Sequence, residues 1–154
     1  MSKSGYFCCL LLVAFLQACV GSTRYHHFLP LSSEGWRRQD SLVFRLPENM
    51  RGGVLEMEAN LRVTRSFPYT KLWIGLEQRD SSQHVLHVDT LCINMADGSG
   101  NLLGRGQDLL EYTSPSLPLQ SDTLGLCREV YVYHLMSRET IPAVTDLGLH
   151  VFCK

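Results

Sequence analysis

Long apolar runs are missing from all but the first nineteen residues of this 154-residue chain. A membrane-spanning helix needs roughly 20 consecutive apolar residues, so nothing after the N-terminal stretch could cross a bilayer as a helix. Charge of one sign is missing too. With Lys3 set aside, 13 Lys plus Arg oppose 15 Asp plus Glu, and Arg37 and Arg38 form only a short pair. Nucleic acid is therefore not an expected partner, because it needs positive charge clustered on one face. No CxxC occurs and no histidine stands at a ligand interval from any cysteine, which speaks against a zinc site. Gly-x-Ser-x-Gly, Rossmann and P-loop patterns are absent, so neither a nucleophile elbow nor a phosphate cradle is indicated. No cofactor and no metal are expected.

The N-terminus is what stands out. Lys3 precedes an unbroken apolar stretch from Tyr6 to Leu16, followed by Gln17, Ala18 and Cys19. A positive residue, a short apolar run and a small residue before a cleavage point are the parts of an export signal. Leu16-Gln17-Ala18-Cys19 resembles the lipobox of bacterial lipoproteins, although Gln17 is less usual at its position. The expectation is that residues 1–18 are removed as a lipoprotein signal peptide and that Cys19 carries the lipid. An ordinary signal peptide with an incidental Cys19 is the alternative. Each buried methylene contributes roughly 0.8 kcal/mol, so two or three acyl chains would anchor the domain in membrane lipid. Val20 in place of an aspartate, by resemblance to sorting rules, points to the outer membrane. The lack of an acidic run after Cys19 points to a periplasm-facing domain.

Besides Cys19, the mature chain keeps Cys92, Cys127 and Cys153. At most one pair among these can close, and sequence does not say which. Cys92 and Cys127 are expected to be buried thiols.

Residues 19–38 show no sustained periodicity and are punctuated by Pro30, Ser32, Ser33 and Gly35. They read as a flexible lipidated tether that becomes ordered near Trp36, ahead of a domain over residues 39–154. Leu42 to Leu46 is a short strand stopped by Pro47, with a turn from Asn49 to Gly53. Leu55, Met57, Ala59, Leu61 and Val63 alternate with Glu56, Glu58, Asn60 and Arg62, the period of a strand with one wet face. A bend at Phe67-Pro68-Tyr69 leads to a strand from Leu72 to Gln78, with Leu72, Ile74 and Leu76 on one side and Trp73 on the other. Asp80 to Gln83 turns the chain. His84 to Met95 has apolar residues on both faces, which predicts a central strand, and Arg128 to Leu135 is a second candidate. Ala96 to Gln107 holds four glycines and is no regular element. Leu109 to Leu119, broken by Pro115 and Pro118, is a loop or edge segment. Leu147, Leu149 and Val151 mark a last strand. With no amphipathic helix in view, the fold class is all-β: a single antiparallel β-sandwich of about six to eight strands.

Residues with chemical potential have plain explanations. His26 and His27 fall in the tether, while His84, His87, His134 and His150 are expected to be exposed strand histidines. Asp97-Gly98-Ser99-Gly100-Asn101 faintly resembles a calcium loop, but Leu102 stands where the turn glycine is needed and Asp108 where a bidentate glutamate belongs. Glu56 and Glu58 share a strand's polar face. A solvated face accounts for them as well as a hydrolytic pair would.

The strand at Asp89-Thr90-Leu91, running into Met95-Ala96-Asp97-Gly98-Ser99-Gly100-Asn101-Leu102-Leu103-Gly104-Arg105-Gly106, resembles the signature of the GldH-type gliding-motility lipoproteins of Bacteroidetes. Trp36 with Asp40 and Phe44, Phe67-Pro68-Tyr69 before Leu72, and Val144 to Leu149 resemble that family's blocks in the same order. Leu102 replaces an expected tryptophan, and Phe152-Cys153-Lys154 extends the C-terminus. The resemblance implies a non-catalytic accessory lipoprotein of the gliding machinery, linked to type IX secretion, whose partners are other envelope, gliding or secretion lipoproteins. Trp73 and the glycine-rich loop with Gly100, Gly104 and Gly106 are the expected contact points, since exposed aromatics and loops serve recognition. A glycan-binding or glycan-processing envelope lipoprotein is the alternative.

Overall fold

The computed structural model describes residues 22–48, 50, 53–120 and 126–154. Residues 1–21, with the leader and Cys19, lie outside it, and so does Asn49 at the head of the expected turn. Among the described residues there is no helix, and the strands are β1 (Thr23–Pro30), β2 (Trp36–Arg37), β3 (Leu42–Arg45), β4 (Leu55–Thr64), β5 (Lys71–Arg79), β6 (Val85–Asn94), β7 (Leu109–Thr113), β8 (Leu117–Pro118), β9 (Glu129–His134), β10 (Thr140–Ile141) and β11 (Val144–Cys153).

They form two antiparallel sheets and a short ribbon. One sheet has the order β1-β11-β4-β7, with β8 also on β4; the other has the order β3-β9-β5-β6; β2 and β10 make the ribbon. The alternation in β4 buries Leu55, Met57, Ala59, Leu61 and Val63, and β11 adds Leu147, Leu149 and Val151. Leu72, Ile74 and Leu76 of β5, Val130 and Val132 of β9, and Leu91 and Ile93 of β6 belong to the same buried cluster. The all-β sandwich expected from the alternation is what forms. Each fully buried aliphatic side chain contributes roughly 1.5–3 kcal/mol, so these inner faces dominate the fold's stability.

The structure differs from the sequence expectation at three places. The segment assigned to a flexible tether is strand β1, paired with β11 from Thr23↔Phe152 to Pro30↔Asp146, so the folded unit starts well before residue 39. Backbone pairing to β11 holds it, while its polar, histidine-rich sequence conceals the period. The His84–Met95 segment is β6, which among the described residues is an edge strand paired with β5 alone. Its apolar residues on the second face, Val85 and Val88, are exposed. The histidine at position 134, expected at the surface, is buried at 1% exposure behind the fully buried Trp36.

An aromatic ring shields a glycine on the outer face of each sheet. Phe28 of β1 covers Gly148, where a Cβ would lie 2.7 Å from the ring. Tyr133 of β9 covers Gly75 of β5, where a Cβ would lie 2.5 Å from the ring. Both glycines thus allow a close approach that no side chain could share.

Candidate functional site

The outer face of the β3-β9-β5-β6 sheet carries the most distinctive surface. Strand alternation sends Trp73, Gly75, Glu77 and Arg79 of β5 outward, opposite the buried Leu72, Ile74 and Leu76. On β9 it sends out Tyr131 and Tyr133, with Val130 and Val132 buried. The Leu135 amide donates to the Trp73 carbonyl at 2.8 Å, which sets these two residues side by side across the strands. Trp73 is 44% exposed and Leu135 46% exposed. Beside Trp73, a shallow depression of about 350 Å³ is lined by Pro68, Tyr69, Lys71 and Met136.

Trp73, Leu135 and Tyr133 form an uncharged cluster flanked by Lys71 and Arg38, and the other half of the face is latched by polar groups. The Arg79 guanidinium lies 4.2 Å from the Tyr131 ring centroid and pairs with Glu77. The Tyr131 hydroxyl donates to Glu129 at 3.0 Å. Gln83 and Arg45 also donate to Glu129, at 2.9 and 3.1 Å. Hydrogen bonds led by Gln83 hold the Glu129 carboxyl below its usual range, and the bond to Glu129 pushes the Tyr131 phenol above its own.

The glycine-rich block closes one end of the sandwich. The Asp97 carboxylate accepts from the Ser99 and Asn101 amides at 2.8 and 2.9 Å and from the Asn101 side chain at 2.9 Å. Those bonds, the Asn101 side chain first, hold its pKa below the ordinary value. The carboxylate is thus committed to an Asx turn. Gly100 sits at the open tip with φ +84°, the left-handed region that favours glycine. Gly104 and Gly106 are needed for packing. A Cβ on Gly104 would lie 2.5 Å from the Tyr112 ring, and one on Gly106 would lie 2.0 Å from the Leu109 carbonyl oxygen. Tyr112, which donates to the Met95 carbonyl at 2.9 Å, fixes this block to the core. Beside it opens a cleft of about 720 Å³ lined by Asn94, Leu103, Arg105, Glu111 and Thr113, among others.

The carboxylates and histidines do not converge on reacting geometry. Glu56 accepts from Lys154 at 2.7 Å and from Ser116 at 2.8 Å, and Glu58 contacts the His150 ring at 2.9 Å. His150 stands in a row with His26 and Phe152 on the outer face of the other sheet, at ring separations of 4.8 and 5.1 Å. Among the described residues no group of three His, Cys, Asp or Glu side chains could hold a metal ion. Cys92, Cys127 and Cys153 are free thiols; Cys127 is buried as expected, whereas Cys92 is half-buried on the Trp73 face. Burial pushes the Cys127 thiol up to about 12.

Of the residues on this face, the sequence singles out Trp73 but not Leu135 or Tyr133, because the β5–β9 pairing that joins them is not visible in either segment alone. The Val-Tyr alternation of β9 was the available signal. Of the other expected contact residues, Gly100 is open to solvent, Gly104 and Gly106 are committed to packing, and Cys19 lies outside the described residues.

The GldH lipoprotein family profile matches residues 23–151, from the first residue of β1 into β11. The chain belongs to the GldH lipoprotein family. Strand β1 therefore lies inside this GldH-family match. No curated protein matches the chain. Among solved structures, the VP2 subviral particle of infectious bursal disease virus is similar at 10% identity and a TM-score of 0.31, over 86% of this chain and 34% of that one. The chain thus spans about a third of that protein's length.

Proposed function

We propose that this GldH-family lipoprotein is a non-catalytic accessory component of the gliding-motility and type IX secretion machinery. In this reading acyl chains on Cys19 hold it to the outer membrane, facing the periplasm, and it works by contact with other envelope proteins. Family membership supports the lipoprotein part. The single observation that carries the contact part is the uncharged cluster of Trp73, Leu135 and Tyr133 on an outer sheet face. Contiguous exposed apolar surface with tryptophan and tyrosine is the composition of a protein-binding hot spot. A glycan hydrolase has less support, since Glu56 and Glu58 are each engaged by a neighbour.

The test is affinity capture of the lipidated protein from envelope extracts, beside a variant carrying Trp73→Ser and Leu135→Ser. The wild type should recover motility or secretion components and the variant should recover about tenfold less, the equivalent of roughly 1.4 kcal/mol. Recovery of none of these components, together with glycan hydrolysis by the purified protein, would reverse the proposal.

A further inference from the structure

We infer that the domain stands end-on on the bilayer that anchors it, with the rim formed by Thr23, Val54 and Lys154 against the lipid headgroups and the glycine-rich end pointing away. The inference rests on acylation of Cys19.

Chain length decides the matter. Four peptide steps separate Cys19 from Thr23, and fully extended they span at most about 14 Å. Thr23 is already the first residue of β1 and is paired with Phe152. The link is thus too short to let the domain swing freely, and whatever surrounds Thr23 must meet the membrane surface.

Three strand ends gather there. Thr23 pairs with Phe152 and Cys153 pairs with Leu55. The Cys153 amide donates to the Ser22 carbonyl at 3.3 Å and the Lys154 amide to the Val54 carbonyl at 3.0 Å. The start of β1, the end of β11 and the start of β4 are therefore one rim. Its chemistry suits an interface: Val54 is 65% exposed, Phe152 is half-buried and Arg24 is exposed. The Lys154 side chain is 72% exposed, with its ammonium held by Glu56, so Arg24 is the cation that faces the headgroups directly. Long cationic side chains beside apolar ones lay their stems along the greasy surface and lift their charge to the phosphates.

The other end lies a full strand away. β4 has ten residues, which at 3.2–3.4 Å each make about 30 Å. At that distal end Val144 pairs with Val63, Lys71 pairs with Asn94, and the glycine-rich block is tied to the core through Tyr112 and Met95. Trp73, two residues into β5 from Lys71, belongs to the same end. End-on standing therefore displays the Trp73 cluster and the cleft roughly 20–30 Å above the lipid.

Both native tryptophans, Trp36 and Trp73, sit in this distal half, which provides the test. The full lipidated protein is reconstituted in phosphatidylethanolamine–phosphatidylglycerol vesicles containing a nitroxide-headgroup lipid. Native emission should be unaffected, whereas tryptophan added at the rim by Val54→Trp, or separately by Lys154→Trp, should lose most of its emission. Quenching of the native tryptophans, or no quenching of either rim tryptophan in protein that floats with the vesicles, overturns the orientation alone. Failure of the wild type to float, with the same behaviour as Cys19→Ala, overturns the anchor and the orientation with it.

Discussion

His134 occupies an unusual position for a titratable side chain. It is buried, its ring meets Trp36 edge-on at 5.4 Å between centroids, and neither ring nitrogen has a hydrogen-bond partner. Burial lowers its pKa below the ordinary 6.5, against a smaller opposing pull from the backbone of Trp36 and Glu139. The folded protein thus keeps the ring neutral where the unfolded chain would protonate it. This contribution to stability is whole above about pH 6.5 and declines as pH falls through that value toward the lowered one. Urea denaturation at about pH 7.5 and about pH 5 should show this loss in the wild type and a smaller loss in His134→Leu. An equal loss in both would mean that other groups drive it. The glycine-rich block makes a second prediction at this scale. Gly104→Ala forces a methyl into the Tyr112 ring and should cost about 1–3 kcal/mol. Gly98→Ala meets nothing within 4 Å and should stay within about 0.5 kcal/mol. Thermal melts compare the two directly, and equal melting temperatures would refute the packing role.

At the scale of elements, β1 departs furthest from what its sequence predicts. The strands with a regular period, β4, β5 and β11, were legible because one face is apolar and the other charged. β1 was not, since its alternate residues Arg24, His26 and Phe28 on one face and Tyr25, His27 and Leu29 on the other have no clean contrast. Its order comes from the backbone ladder and from Phe28 over Gly148, a glycine more than a hundred residues away. Hydrogen exchange separates strand from tether. Amides of β1 should exchange on the slow timescale of β11, whereas a loose leash would exchange fully at the earliest time point. β6 differs for a related reason: Val85 and Val88 look like core in sequence, but they stand on the outer face of the sheet with Glu77 and Arg79, where among the described residues no second layer covers them.

For the whole molecule, alternation and the absence of helical period were enough for the fold class, because a half-buried sheet writes its period into the chain. The candidate surface was only half legible. Trp73 declared itself by pointing away from Leu72, Ile74 and Leu76, while Leu135 and Tyr133 joined it through cross-strand register, a long-range property. Among the described residues neither sheet closes on itself, which leaves open edges. Among the described residues no strand covers the outer edge of β6, and along Val85–Asn94, which holds no proline or lysine, the bulge opposite Gln78 and Arg79 and the partly buried Asp89 are what discourage a neighbouring chain from pairing there.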